Sequence, residues 1–549
     1  MTRRQILLAL IPCFAITLAF GFLSDGCYHD DDLTHFLMAR WAYWFPGYLL
    51  NIWGRPGLTV PLAAVSWIGD SQFGWHLARM LSALATAAAA YLAARLATRL
   101  EVRPAWLVVL LCYAQPLNAL LACTTLTENF AALYLVAAVS LLQDRRRLLA
   151  SIVFSLVLVT RHETAVLLPL WWLALARDGG PWFSRLTAGT AALTAPVIHN
   201  VGFRLLYSEW PLRIFFEPNG STEYRAASIL NYIPHALSAV PPALAALAII
   251  GGVMLLRRRQ FVIPAMAGLF FLAHVAVRAK GVYASGGYGR FMVTVAPLIA
   301  ILATAGLHDL RVRLHEGHAT GLHWLGLAVI WPLGLLALEI ERQAERIPIR
   351  DVRLMPAACI TVALFVACLA AAWLWSRRDR AAPTVKIAAA LLAISVIVQW
   401  GLMVHPLRLA PSPRQAQNMV SWLRLSALDR APLFATDPWI TYFLNLVENP
   451  RAYKGAQLLA SMPVGTIYIW DSVYSPSDYH RLPLEQYRDD PAYLLLTIAN
   501  QRPEGKEMYV FQKVRETPIP PDTRPPYPPN LAAVEPPLRG IYYVRPAEN

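Results

Sequence analysis

Long apolar runs punctuated by short arginine clusters are the feature that most constrains this chain. Runs fall near Ile6–Leu23, Leu58–Ile68, Leu77–Leu96, Ala105–Leu121, Phe130–Leu142, Leu148–Val159, Ala165–Ala176, Leu186–Leu206, Leu237–Leu256, Phe261–Val277, Phe291–Leu307, Leu322–Leu338, Met355–Trp375 and Ile387–Val404. A helix needs roughly 20 residues to cross a bilayer core. The shorter runs must therefore tilt, re-enter or borrow flanking residues, and the pattern predicts a polytopic α-helical membrane protein with about 11 to 14 spans. Composition agrees: 57% of residues are hydrophobic and 15% charged, with a mean hydropathy of +0.43, against about a quarter charged in soluble domains. The first run lacks a small-residue cleavage site and is followed by many more, so it reads as a retained helix and not a secretory signal.

The net charge of +14 does not point to nucleic acid. The arginines cluster between apolar runs, at Arg3-Arg4, Arg145–Arg147, Arg257–Arg259, and Arg377-Arg378 with Arg380, which is the positive-inside pattern that reports orientation. With Arg3-Arg4 inside, the loop Cys27–His35 lies outside, and the last span, ending near His405, returns the chain to that same outer side. Five of the six cysteines sit in apolar runs. Neither a disulfide framework nor a zinc site is supported.

Two regions are expected: residues 1–408 as the membrane domain, including a first outer loop 24–57, and residues 409–549 as a soluble α/β domain. In the second, Ser412–Leu428 patterns as an amphipathic helix, and Pro432–Thr436, Thr466–Trp470 and Met508–Val514 pattern as strands. A proline-rich tail, P-I-P-P-D-T-R-P-P-Y-P-P from Pro518, follows as extended chain.

Chemistry concentrates in Cys27–His35, C-Y-H-D-D-D-L-T-H. Adjacent carboxylates repel and raise one another's pKa, a cost that a structural element has no reason to bear but a proton acceptor has. Leu33–Trp44 then patterns as a helix lying on the membrane surface, anchored by Trp41, Tyr43, Trp44, Phe45 and Tyr48. If the helix begins near Asp31, Asp31 and His35 are i,i+4 neighbours, and the helix dipole favours the ionised aspartates. Capping of this helix by Asp30 or Asp31 is the competing role. Arg55, in N-I-W-G-R-P-G-L, is either a snorkelling interface arginine or a planar clamp for phosphate.

Glu128, the triplet Arg161-His162-Glu163, and Arg290 stand at the borders of runs, where ionisable groups are costly and mark candidate sites. Two apart on a helix, Arg161 and Glu163 would point in different directions; an interfacial cap is the alternative for that triplet. Arg290 follows a glycine-rich loop, G-V-Y-A-S-G-G-Y-G, that lets backbone and ligand approach closely, and topology puts it on the outer side with Asp31 and Arg55.

In order and topology these elements resemble the GT-C superfamily of membrane glycosyltransferases, in the bacterial branch similar to the dolichyl-phosphate-mannose protein mannosyltransferases and the lipid A aminoarabinose transferases. The resemblance rests on Asp31-Asp32 opening a surface helix through Leu33-Thr34-His35-Phe36, and on Arg55-Pro56-Gly57-Leu58 before a span. A-R-M-L-S-A-L at Ala78–Leu84 and Arg290-Phe291 through Pro297 complete it, over roughly the first 310 residues. This sequence departs from the family in having Asp-Asp where Asp-Glu is usual and Pro-Gly where a double proline is usual.

The resemblance implies a polyprenyl-phosphate-linked sugar as donor, a lipid, glycan or protein hydroxyl as acceptor, and surrounding membrane lipids as partners. It also implies a bacterial inner (plasma) membrane location, with the active site and C-terminal domain on the periplasmic side. Asp31 is then the general base, Asp32 its partner, and Arg55 and Arg290 the donor phosphate site. Asp30, His29, His35, Glu128, Arg161 and Glu163 support them. A divalent ion (Mg or Mn) held by Asp30, Asp31 and His35 stays open, since acidic runs bind hard cations. The rival readings are a secondary transporter, against which stands the lack of an internal repeat, and a polysaccharide polymerase or ligase using similar donors.

Overall fold

The computed structural model describes residues 3–207, 210–211, 226–282, 286–315, 333, 381–448, 455–477, 480, 482–500, 506–518 and 543–544. The apolar runs Leu322–Leu338 (residue 333 excepted) and Met355–Trp375, the arginines Arg377, Arg378 and Arg380, and the proline-rich tail beyond Pro518 lie outside them. Two compact units are formed, one from Met1–Leu23, Arg79–His199 and Leu212–Pro406, the other from Ser24–Ala78, Asn200–Pro211 and Leu407–Asn549. The loop 24–57, grouped with the spans on sequence, thus belongs to the same unit as residues 407–549.

In the first unit, prolines divide apolar runs into pieces. A proline lacks the N–H of the i→i−4 ladder and clashes with the preceding turn, so Ala105–Leu121 breaks into helices Ala105–Tyr113 and Pro116–Leu121, and Leu237–Leu256 bends by 93° between Tyr232–Ala239 and Pro242–Arg257. Among the described residues, four helices are long and apolar enough to cross a membrane, Arg3–Leu23, Ser71–Arg99, Val262–Lys280 and Gly289–Val312, or five with the bent pair. Glycines allow one very close crossing: a Cβ on Gly251 would lie 1.9 Å from the Leu302 carbonyl oxygen, and one on Gly306 would lie 1.9 Å from that of Leu247. Small residues at such crossings let two membrane helices meet backbone to backbone. The helix Ala296–His315, so held, continues directly from the 3-10 turn Gly289–Val295 that carries Arg290.

The second unit contains a four-stranded sheet. Strands β1 (Leu433–Ala435), β2 (Val447–Glu448), β3 (Ile467–Asp471), β4 (Tyr493–Asn500), β5 (Glu507–Lys513) and β6 (Tyr543–Val544) give the order β1-β3-β5-β4, with β2 and β6 as a separate antiparallel pair. β1 and β3 are parallel and the remaining pairings of the larger sheet are antiparallel. The expected helix is Pro411–Leu425, and β1, β3 and β5 fall within a residue or two of their expected positions. β4 was not anticipated: Tyr-Leu-Leu-Leu-Thr-Ile is a continuous apolar run without the alternation that marks a strand.

The helix Asp30–Trp41 joins this unit through aromatic packing. Trp75 lies 6.1 Å from Phe36, 5.9 Å from Trp439 and 5.1 Å from Tyr442, between ring centroids. Arg40 is buried beside it and donates to the Ser66 and Gly69 carbonyls and to Asn445 Oδ1, each at 2.8 Å. Burial pulls its pKa down to about 10, with Asp70 opposing, so the guanidinium stays charged at neutral pH. Arg40→Met would take the guanidinium from three acceptors, of which the buried Ser66 carbonyl loses most, and is expected to lower stability by about 2 kcal/mol, read as a fall in thermal midpoint. Arg40→Lys should recover little, because an ammonium lacks the fork that reaches three acceptors; full recovery would show that charge alone matters.

Candidate functional site

The three aspartates open the helix Asp30–Trp41, one turn earlier than the expected Leu33 start. His29 is its cap, in extended backbone (φ −155°, ψ 157°), and its Nδ1 accepts from the Asp31 amide at 3.3 Å. Successive residues of a helix point about 100° apart, so the carboxylates separate. Asp30 Oδ1 accepts from Trp439 Nε1 at 3.4 Å, and its Oδ2 accepts from the Tyr474 hydroxyl. Asp31 Oδ2 lies 3.3 Å from His29 Nδ1, and the Asp31 side chain keeps 18% exposure. Asp32 is fully buried, and His35, one turn after Asp31, is buried too.

The groups that meet Asp30 rest on two further buried carboxylates. Asp437 caps the helix Pro438–Phe443 by accepting from the Trp439 amide at 2.8 Å, and Lys506 Nζ donates to its Oδ2 at 3.0 Å. Asp471 Oδ1 accepts from the amides of Val473 and Tyr474, at 3.0 and 2.7 Å. The Lys506 ammonium also sits 4.3 Å from the Tyr474 ring centroid. Burial, with Asp471 adding and Lys506 opposing, pushes the Asp437 carboxyl up. Burial would lower the Lys506 ammonium, but Asp437, Asp471 and Asp30 together outweigh it and hold it as a cation. Burial first, and the Asp30 carboxylate second, raise the Tyr474 phenol, which therefore remains a donor. Asp437-Pro438 carries a helix-start signature, yet nothing local connects it to Asp30, which Trp439 meets across 409 residues.

In the same unit Arg55 precedes the helix Pro56–Ser66, which packs on Asp30–Trp41. Its backbone is at φ 62°, ψ 100°, a conformation costing a non-glycine residue roughly 1–3 kcal/mol. Asn51 Oδ1 holds the preceding turn by accepting from the Trp53 and Gly54 amides at 2.8 and 3.1 Å, and the Arg55 carbonyl accepts from Leu58 N at 2.8 Å. Glu101, Arg145, Arg259, Ala427 and Asn445 share a positive φ, so the backbone leaves both roles of Arg55 standing.

The first unit gathers the other four candidates. Arg161 Nη1 donates to Glu128 Oε1 at 2.7 Å and to Thr127 Oγ1 at 3.1 Å, and Nη2 donates to Glu163 Oε1 at 3.0 Å. Arg290 Nε lies 3.6 Å from the same Glu128 oxygen. The Arg161 guanidinium stands 4.3 Å from the Phe291 centroid, and that of Arg290 5.0 Å from the Tyr288 centroid. The expectation that Arg161 and Glu163 diverge is corrected: the helix Arg147–Thr160 ends before them, and Arg161 is extended (φ −140°, ψ 108°), entering a 3-10 turn. Off the α-helix, residues two apart can converge.

Among the described residues no three His, Cys, Asp or Glu side chains group as metal ligands. The Asp30–Asp31–His35 set does not assemble, because Asp30 turns to Tyr474 and Trp439 while Asp31 turns to His29.

No protein-family model matches the chain, and no curated protein matches it. Solved structures do. ArnT from Cupriavidus metallidurans bound to undecaprenyl phosphate is similar with a TM-score of 0.58 at 15% identity, over 93% of this chain and 98% of that one. The same protein in the apo state gives 0.57 at 15% identity, over 92% and 97%. A likeness at this identity shows the fold alone: the chain is a polytopic helical membrane protein with a C-terminal α/β region, built on an ArnT-like fold.

Proposed function

We propose that the protein is an integral-membrane glycosyltransferase that moves a sugar from a polyprenyl-phosphate donor to an acceptor hydroxyl, with inversion, on the periplasmic face of a bacterial inner membrane. The likeness over 93% of the chain to an ArnT structure bound to undecaprenyl phosphate carries this reading. The residues supply compatible chemistry. Asp31, partly exposed and beside His29, takes the proton of the acceptor hydroxyl as the oxygen bonds to the anomeric carbon. The bond from that carbon to the phosphate oxygen breaks, and its electron pair leaves with the polyprenyl phosphate. A phosphate needs positive charge and no general acid to depart, which suits an arginine; Arg55 and Arg290, one in each unit, are the two candidates. Asp32 is the partner of Asp31 or the group that orients the acceptor, and the Glu128–Arg161–Glu163 group neighbours Arg290 through Glu128.

The test is transfer by the purified full-length protein in lipid nanodiscs, using a panel of polyprenyl-phosphate sugars. Release of polyprenyl phosphate, with an inverted anomeric centre seen by NMR, is expected for one donor. Absence of release across the panel, with no polyprenyl lipid co-purifying by mass spectrometry, would sink the reading.

A further inference from the structure

We infer that Asp30 is an anchor and not a proton acceptor, and that Tyr474, Trp439 and Lys506 are positioning residues through which the C-terminal sheet fixes the helix start that carries Asp31. The inference rests on the transfer reading for what Asp31 does, but its geometry lies wholly within one unit of the protein.

The first turn of a helix is where it frays, because its leading N–H groups lack partners in the helix. Here the backbone side of that turn is tied by His29, whose Nδ1 accepts from Asp31 N at 3.3 Å and whose carbonyl accepts from Asp32 N at 2.9 Å. The side-chain end is tied by Asp30, held on one oxygen by the Trp439 indole and on the other by the Tyr474 phenol. Both donors are rigid rings, and each is mounted on a turn whose backbone amides are capped by a fully buried carboxylate: Asp437 under Trp439, Asp471 under Tyr474. Lys506 links the two mounts, by its 3.0 Å bond to Asp437 and its seat on the Tyr474 ring. Thr436 Oγ1 closes the frame by donating to Asp471 Oδ2 at 2.7 Å.

Burying a lysine and two aspartates to hold one helix end is a costly device if adhesion is the only purpose, since apolar residues of similar volume serve as well or better. Directional bonds give what apolar packing does not, a defined rotation of the first turn. Asp31 follows Asp30 directly, so that rotation sets where its carboxylate points. Displacing a catalytic group by about 1 Å costs up to about 100-fold in rate.

The experiment uses the full-length protein with Tyr474→Phe, which removes one oxygen and keeps the ring, and with Lys506→Met and Lys506→Arg. For Tyr474→Phe the expected result is a kcat lowered about tenfold, with donor and acceptor KM within about twofold of wild type. Amide exchange over residues 30–36 should rise by about tenfold while that of β3 and β5 stays unchanged. Lys506→Met should act in the same direction and Lys506→Arg should restore both readouts. Wild-type kcat and wild-type exchange in Tyr474→Phe would overturn the anchor, as would a loss of activity that only tracks the unfolded fraction. If the wild-type protein transfers no sugar, the exchange readout still decides the anchor, and only the transfer reading falls.

Discussion

Asp31→Asn is expected to lower kcat for sugar transfer by about 10³-fold, with donor and acceptor KM changed by less than about threefold. Asparagine keeps the shape of the side chain and can accept from its neighbours, but it cannot take a proton at neutral pH. The three aspartates have different surroundings. Asp30 is occupied on both oxygens by Trp439 and Tyr474, and Asp32 is fully buried. Asp31 keeps partial exposure, with the His29 ring nitrogen 3.3 Å from its Oδ2. Asp32→Asn should therefore show first as a loss of stability. Transfer assays on all three asparagine variants, each corrected for folded fraction, separate these roles. An Asp31→Asn enzyme within tenfold of wild type would remove Asp31 as the base.

How much of this was legible in the sequence depended on how far each interaction reaches along the chain. The helix Asp30–Trp41, the strands β1, β3 and β5 and the helix Pro411–Leu425 are encoded by patterns a few residues long, so they could be read directly. The convergence of Arg161 on Glu163 was misread because R-H-E-T-A contains no glycine or proline to announce the end of the helix at Thr160. The contact of Asp30 with Tyr474 spans 444 residues, and that of Lys506 with Asp437 spans 69. No local propensity encodes either. Candidates were therefore found where an ionisable group was conspicuous in an apolar run, as with Glu128 and Arg290. They were missed where it sat in an ordinary soluble context, as with Asp437 and Lys506.

Glu128→Gln is expected to destabilise the ligand-free protein by about 3 kcal/mol and to make the protein more dependent on the donor phosphate. Glu128 is 1% exposed, accepts from Arg161 at 2.7 Å and faces Arg290 Nε at 3.6 Å. With Glu163 it balances two guanidinium charges with two carboxylates. Glutamine keeps an acceptor for Arg161 but removes one negative charge, so the group is left with a net positive charge where water is scarce. Removing one partner from a buried ionic group costs far more than the net worth of the pair, because the remaining charge is desolvated without compensation. A phosphate bound at Arg290 would supply the missing charge. Thermal unfolding should therefore show a lower midpoint for the ligand-free variant, and undecaprenyl phosphate should raise the midpoint by more in the variant than in wild type, since a ligand stabilises in proportion to its affinity for the folded state. An equal or smaller rise in the variant would separate Arg290 from the phosphate site, and an unchanged ligand-free midpoint would show that Glu128 is not the counter-ion of the two arginines.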